Sequence, residues 1–313
     1  MRVRCLTTIV WVALVAAAII ASGTALAGQE DARPIVLLLL DTSGSMEYSV
    51  NTTAVETQDS DVLLVPNCTR GEKSRWIVAQ EILTGSFGGY YCTVDNRTSP
   101  STREDYGYPV PHIVPHGVQL GDGLIDLTAD RFKFGVMTFD SNPNPGTGVG
   151  GGYSFGPETP VNMGARNNMP GTPWGFIKPE PTDDPARIAA RNAAVQMSIL
   201  STIPYGGTPI APLLHDALWW FQNDEDLQPW DPETGKGDKY YDCRSRNIIL
   251  VTDGRANLGE GTDGYYTSVE YTRRLKAARV KVHVVGFQLP AGVDTQVNAI
   301  AEAGDTGAAH IAT

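Results

Sequence analysis

The chain has 313 residues, 42% of them hydrophobic and 19% charged, and a formal net charge of −11 at pH 7. This acidic balance, without any basic run, argues against nucleic acid or anionic lipid as a partner. The length suits one large α/β domain with insertions or two small domains, and we expect one domain.

Residues 1–27 have the pattern of a secretory signal peptide. Arg2 and Arg4 precede an apolar stretch over residues 6–20, and Ala25-Leu26-Ala27 forms a small-x-small cleavage pattern. We therefore expect export to the periplasm, the cell surface, a pilus or the medium, with no membrane span after cleavage. An uncleaved amino-terminal anchor is the alternative, because the apolar stretch approaches the length that spans a bilayer.

Three cysteines follow the signal peptide, namely Cys68, Cys92 and Cys243. In an oxidising compartment, one disulfide and one remaining thiol is the simplest arrangement. Cys68 with Cys92 is the first choice because both lie in the same inserted region, while pairing of Cys243 with either one stays open. No CxxC pair accompanies them, so a zinc site is not predicted.

Predicted strands and helices alternate along residues 34–313, which form the expected domain. This order implies an α/β fold with a doubly wound, mostly parallel open sheet, helices on both faces and right-handed crossovers. The strands are predicted at 35–40, 131–140, 247–252, 280–287 and 308–313, and the helices at 74–84, 185–203, 210–221, 266–278 and 293–303. Polar insertions are expected near 47–70, 85–130, 141–184 and 223–242.

The segment 210–221 has the strongest helical pattern in the chain. Pro209 suits the first turn of this helix, and His215 falls on its polar side, so His215 is predicted to be a surface residue. Apolar residues recur at helical spacing, at Ile210, Leu213, Leu214, Ala217, Leu218 and Phe221.

Polar oxygen-bearing side chains follow two of the predicted strands. Asp41-Thr42-Ser43-Gly44-Ser45 comes directly after the apolar run 35–40, and Asp253 directly follows a later strand. Since the carboxyl ends of parallel strands meet at one edge of a sheet, these side chains should lie together. One carboxylate and two hydroxyls at i, i+2 and i+4 suit Mg²⁺, Mn²⁺ or Ca²⁺. Alone, the same motif is also typical of an Asp/Ser turn that caps a helix.

A third loop makes the pattern more specific. The segments DTSGS, GGTP and VTDG, in this order, resemble the metal-ion-dependent adhesion site of von Willebrand factor type A (VWA) domains. The resemblance implies that Ser43, Ser45 and Thr208 supply hydroxyl ligands, and that Asp41 and Asp253 bind directly or through water. Mg²⁺ is the ion expected, with Mn²⁺ or Ca²⁺ as alternatives. Neutral ligands leave a divalent cation attracted to a carboxylate of a partner.

A narrower resemblance covers most of the exported chain. The signal peptide, the early DTSGSM, the segment 74–85 and the approach over 243–247 to ILVTDG are similar to the amino-terminal VWA domain of type IV pilus-tip adhesins of the PilY/PilC type. In that family a large β-propeller usually follows. This chain stops at Thr313, near the expected last strand and before the usual closing helix, so we expect a fragment or a truncated relative.

These observations predict a binding module rather than an enzyme. Its expected partner is a protein that offers a carboxylate, such as pilin or a host or cell-surface protein. A structural pilus-assembly or cell-surface protein whose ion only stabilises the loops is the first alternative. A metal-dependent hydrolase is the second, but we identify no nucleophile elbow and no His or Glu general base for the predicted site.

Overall fold

The computed structural model describes residues 32–47, 50, 73–95, 110–139, 176–202, 204, 208–257, 259–262 and 264–312. The predicted signal peptide, Cys68 and most of the insertions near 47–70 and 141–184 lie outside these residues. The predicted disulfide between Cys68 and Cys92 therefore stays a prediction. Cys243 is exposed, in the turn that precedes a strand of the sheet.

A six-stranded sheet forms the centre of the molecule. In chain order the strands are β1 Ile35–Leu40, β2 Phe87–Asp95, β3 Val110–Gln119, β4 Lys133–Thr138, β5 Phe176–Ile177, β6 Arg246–Thr252, β7 Val280–Phe287 and β8 His310–Ala312. The order in the sheet is β5-β4-β1-β6-β7-β8. All neighbours pair in parallel except the short edge strand β5, which runs antiparallel to β4.

Helices cover both faces of this sheet, which confirms the predicted doubly wound α/β fold. They are α1 Arg75–Thr84, α2 Leu124–Leu127, α3 Pro185–Ser201, α4 Ile210–Asn223, α5 Ser268–Ala277 and α6 Asp294–Ala303, with 3₁₀ turns at Gly44–Glu47 and Glu225–Leu227. Each strand and helix that the sequence predicts is present, with small shifts at the ends. Among the described helices, none has both the length and the apolar character that a membrane span needs.

Strand β1 shows why its sequence is apolar throughout instead of alternating. All six of its residues are buried, because each face of the sheet is covered by helices. One face packs Ile35, Leu37 and Leu39 against α4, α5 and α6. The other face packs Val36, Leu38 and Leu40 against α1, α2 and α3.

The chain path makes the carboxyl end of β1 a switch point of the sheet, where a crevice is expected. From β1 the chain passes through α1 to β4 on one side, and it later crosses to β6 on the other side. The helices that follow β1 and β6 pack on opposite faces, so their connecting loops diverge at this point. Ligand sites of open α/β sheets lie at such switch points. Leu40 pairs with Val251, and the N–H of Asp41 donates to the Val251 carbonyl at 2.8 Å, which places Asp41 beside the end of β6.

Strands β2 and β3 form an antiparallel hairpin within the insertion expected near 85–130. The sequence did not predict this hairpin, because the segment was interpreted as a polar insertion rich in proline and tyrosine, and Pro111 and Pro115 lie in β3. Both prolines pair across the hairpin, with Val94 and Tyr90 respectively. A two-stranded ribbon tolerates proline because each strand has one edge without a neighbouring strand.

His215 is buried, so its prediction as a surface residue is wrong. Its ring meets the rings of Tyr265 and Tyr271 edge-on, at centroid distances of 5.6 and 5.5 Å. These tyrosines belong to α5 and the segment before it, which cover the polar side of α4. The helical pattern of α4 alone contains no information about this cover.

A buried charged cluster lies at the end of the sheet where β6 begins, opposite the carboxyl ends of β1 and β6. The Arg244 side chain is 2% exposed and forms paired hydrogen bonds with Asp183, at 2.8 and 2.7 Å, and with Asp238, at 2.8 and 3.0 Å. Its Nη1 also donates to the Arg33 carbonyl at 2.6 Å. The cluster thus ties the segments before α3 and before β6 to the start of the domain, far from the carboxyl-end crevice.

Candidate metal centre

The loop after β1 closes around the Asp41 carboxylate. Asp41 is fully buried, and its Oδ1 accepts from the backbone N–H of Ser43 at 2.8 Å. Its Oδ2 accepts from the Thr252 hydroxyl, at the end of β6, at 2.6 Å. The short 3₁₀ turn Gly44–Glu47 then presents the side chain of Ser45. Local backbone geometry and the neighbouring strand therefore fix the orientation of this carboxylate.

A chain of oxygen contacts joins this loop to the end of β6. The hydroxyls of Ser43 and Ser45 lie 3.0 Å apart, and the Ser45 hydroxyl donates to Asp253 Oδ1 at 2.8 Å. Asp253 is fully buried. The two motifs, 208 residues apart along the chain, thus share one small polar site.

Thr208 lies on the loop before α4 and faces the same space. Its N–H donates to Asn257 Oδ1 at 2.7 Å, and the Asn257 N–H donates to the Thr208 carbonyl at 3.1 Å, which anchors the loop to the segment after Asp253. A Cβ atom placed on Gly254 would lie 3.9 Å from both Ser45 Oγ and Thr208 Oγ1. Both hydroxyls therefore border the space beside Gly254, which a side chain there would enter.

Arg75 contacts the other oxygen of Asp253. Its Nη1 lies 2.6 Å from Asp253 Oδ2, and its side chain is only 10% exposed. Arg75 is the first residue of α1, directly after the N-cap Ser74. A cation at a helix amino terminus is repelled by the positive end of the helix dipole, so the nearby Asp253 carboxylate stabilises Arg75 at this position.

Burial raises the proton affinity of both carboxylates in the site. Burial, with the charge of Asp253 as the second cause, raises the pKa of Asp41 to about 7, although hydrogen bonds from Ser43 and Thr252 oppose the rise. Burial also raises the pKa of Asp253, while Arg75 and Ser45 act in the opposite direction. A positive charge bound in the site would therefore stabilise the ionised form of both carboxylates.

The oxygen spacing fits a small divalent cation. Neighbouring ligands in an octahedron with bonds of about 2.1 Å lie about 3.0 Å apart, whereas bonds of about 2.4 Å separate them by about 3.4 Å. The Ser43–Ser45 and Ser45–Asp253 oxygens are separated by 3.0 and 2.8 Å, which are also hydrogen-bond distances. The described residues contain no cluster of three His, Cys, Asp or Glu side chains suited to a metal, so a cation at this site would need the hydroxyls as ligands.

The structure brings the five predicted site residues to one edge of the sheet. Direct hydrogen bonds connect Asp41, Ser43, Ser45 and Asp253 into one site, with Thr252 bridging to Asp41, and Thr208 borders the same space. Their binding of a metal ion stays a prediction.

Sequence reasoning missed three participants, namely Arg75, Thr252 and Asn257. The VTDG motif contains Thr252, so a buried threonine just before the acid was an available signal. The arginine directly after a serine N-cap was the available signal for Arg75.

Comparisons with known proteins give structural similarities only. No protein-family model matches the sequence, and no curated protein does. BatB from Bacteroides thetaiotaomicron has a TM-score of 0.37 and 14% identity, over 89% of this chain and 90% of that one. The SpRpn10 VWA domain has a TM-score of 0.33 and 10% identity, over 89% and 86%.

A mussel byssus protein, proximal thread matrix protein 1 with a zinc-occupied MIDAS motif, has a TM-score of 0.30 and 14% identity, over 82% of this chain and 36% of that one. These scores are low; the strand order defines the fold, and the contacts described above define the site. The resemblance to pilus-tip adhesins stays a prediction. VWA domains are among the structural neighbours of this chain.

Proposed function

We propose that this chain is a metal-dependent protein-binding module, in which Asp41, Ser43, Ser45, Thr208 and Asp253 hold a divalent cation, most readily Mg²⁺. The observation that carries the proposal is the set of hydroxyls joined to two fully buried carboxylates at the switch point of the sheet. Once bound, the cation offers a coordination position to a carboxylate of a partner protein.

The charge balance of the site supports an acidic partner. Asp41 and Asp253 contribute two negative charges when ionised, and Arg75 offsets one of them. A divalent cation therefore leaves the site with one positive charge in excess. The hydroxyls of Ser43 and Ser45 add ligands without adding negative charge, so this excess persists and favours a carboxylate from outside.

The cellular setting is also part of the proposal. Export is supported by the pattern of residues 1–27, and association with a type IV pilus by the resemblance described above. Within this setting the module acts in adhesion or pilus assembly, with pilin or a host or cell-surface protein as the partner. We also propose that it is not an enzyme, since the groups bonded to Asp41 and Asp253 are hydroxyls, a backbone N–H and a guanidinium.

Calorimetric titration of the purified chain with Mg²⁺, Mn²⁺ and Ca²⁺ tests the site. Asp41→Asn and Ser45→Ala should each weaken Mg²⁺ binding by about 10- to 100-fold, which is the loss in metal affinity typical of substitutions around a bound metal. Asp242→Asn is the matched control, because this carboxylate is 89% exposed and pairs with Arg279 at the surface. Equal affinity of all four proteins would contradict the metal site.

Binding to immobilised, purified type IV pili tests the partner. Retention in Mg²⁺ that disappears with chelator and with Ser45→Ala supports the proposal. Retention that persists under both conditions would show that the contact does not use the cation.

A purely structural ion is the second candidate. The raised pKa of Asp41 favours it, because any cation that relieves two buried carboxylates stabilises the fold whether or not a partner is present. A melting temperature that rises with Mg²⁺, together with pilus binding that is the same in Mg²⁺ and in chelator, would support this alternative.

A further inference from the structure

The two oxygens of Asp253 serve different neighbours. Oδ1 accepts from the Ser45 hydroxyl at 2.8 Å and thus faces the hydroxyl side of the site. Oδ2 accepts from Arg75 Nη1 at 2.6 Å. The guanidinium therefore contacts the carboxylate through the oxygen that the serine loop leaves available, and Arg75 and the hydroxyls bind Asp253 at the same time.

Arg75 is held in this position by the packing of α1. The next residue, Trp76, is 2% exposed, and its Nε1 donates to the Thr202 carbonyl at 3.0 Å. Ala79 and Leu83 on the same helix are buried against β1. This packing fixes the backbone of Arg75 at the start of α1, and the 2.6 Å contact of its largely buried side chain with Asp253 places the positive charge in the site.

We propose that Arg75 is an internal counter-cation of the metal centre, which offsets the buried carboxylates when no divalent ion is present and lowers the affinity for that ion when it binds. The inference rests on the proposed function and names the residue that sets the strength of its ion binding. An arginine has no acceptor and keeps its charge at all physiological pH values, so it opposes the ion without being able to ligate it.

The first test compares Arg75→Gln and Arg75→Lys with the unaltered chain by calorimetric titration with Mg²⁺ at pH 8. Arg75→Gln should bind Mg²⁺ about tenfold more tightly. This factor corresponds to the repulsion between a univalent and a divalent cation a few ångströms apart, even at the dielectric constant of water. Arg75→Lys keeps the charge and should retain the original affinity.

Arg187→Gln is the matched control, because Arg187 also lies in the first turn of a helix and pairs with an acid, Glu180, at 3.0 Å. Its affinity for Mg²⁺ should be unchanged.

Melting temperature provides a second measurement. In chelator, Arg75→Gln should melt below the unaltered chain, because Asp253 loses its cation, and Mg²⁺ should raise its melting temperature by more than it raises that of the unaltered chain. If Arg75→Gln does not fold in chelator, recovery of folded protein on refolding in Mg²⁺ supports the proposal, because the ion then replaces the missing charge. Failure to recover in Mg²⁺ overturns it.

The remaining outcomes separate this proposal from the one on which it rests. If the unaltered chain binds Mg²⁺ but Arg75→Gln binds it equally or more weakly, the counter-cation role is overturned and the metal centre stands. If the unaltered chain binds no divalent cation, the proposed function fails and this inference fails with it.

Discussion

The contribution of Asp41 to the stability of the ion-free protein should fall as pH rises from about 4 to 7. Asp41 has an ordinary pKa of 3.8 in the unfolded chain, and burial beside Asp253 raises it to about 7 in the folded chain. Between these values the folded state binds the proton and the unfolded state does not. Each pH increment therefore favours unfolding, the reverse of the usual behaviour of a paired aspartate.

The size of this effect follows from the two pKa values. The difference between 3.8 and about 7 corresponds to about 4 kcal/mol of destabilisation above pH 7, as an order of magnitude for a fully buried group. A divalent cation has to displace the same proton, so its affinity should increase about tenfold per pH unit below 7 and become constant above it.

Urea denaturation in chelator, at pH values between 4.5 and 8, measures the first effect. The comparison is with Asp41→Asn, whose neutral amide cannot titrate, so the difference between the two proteins removes the contributions of groups that titrate independently of Asp41. As pH rises, the free energy of unfolding of the unaltered chain should fall relative to that of Asp41→Asn. Mg²⁺ should abolish this relative fall. A pH-independent difference in chelator, or a Mg²⁺ affinity that does not change between pH 5.5 and 7, would refute the reasoning.

Three further predictions concern other parts of the molecule. Gly254→Val should leave the ion-free melting temperature nearly unchanged but weaken Mg²⁺ binding at least about tenfold, because its side chain enters the space beside Ser45; unchanged affinity in calorimetry would contradict this. Arg244→Met should lower the free energy of unfolding in urea by about 3 kcal/mol, since Asp183 and Asp238 lose their shared cation, with no effect on Mg²⁺ affinity. His283 has a pKa lowered to about 4 by burial, with help from nearby cations, so it costs stability as pH falls from 6.5 to 4. His283→Gln should show a smaller acid loss in urea titrations, and an identical loss would exclude His283 as its source.

Much of the fold could be predicted because its signals are local. The six apolar residues of β1 and the helical spacing of α4 each fit one secondary structure, and the alternation of strands and helices then implies a parallel sheet. The carboxyl ends of β1 and β6 carry Asp41 and Asp253, so their proximity followed once the sheet was predicted.

The parts that could not be predicted depend on contacts distant in sequence. Arg75 and Asp253 are 178 residues apart, and no spacing rule relates the start of one helix to the end of a strand that far away. Burial of His215 likewise depends on Tyr265 and Tyr271, which the pattern of α4 does not include. Sequence periodicity thus identified the α4 side chains that pack against the sheet. It did not identify the residues that cover the polar face of α4.

The charge count links the choice of ligands to the need for a partner. With carboxylates in place of the Ser43 and Ser45 hydroxyls, the site would neutralise a divalent cation and hold it without help. Here two carboxylates face one guanidinium, so with both ionised the site carries a single net negative charge without the proposed ion and would carry a single positive charge with it. The ion-free site is thereby kept close to neutral in a buried setting, and the loaded site favours an acidic ligand. Arg75 would contribute to both effects, so in the proposed site it would couple ion affinity to partner affinity.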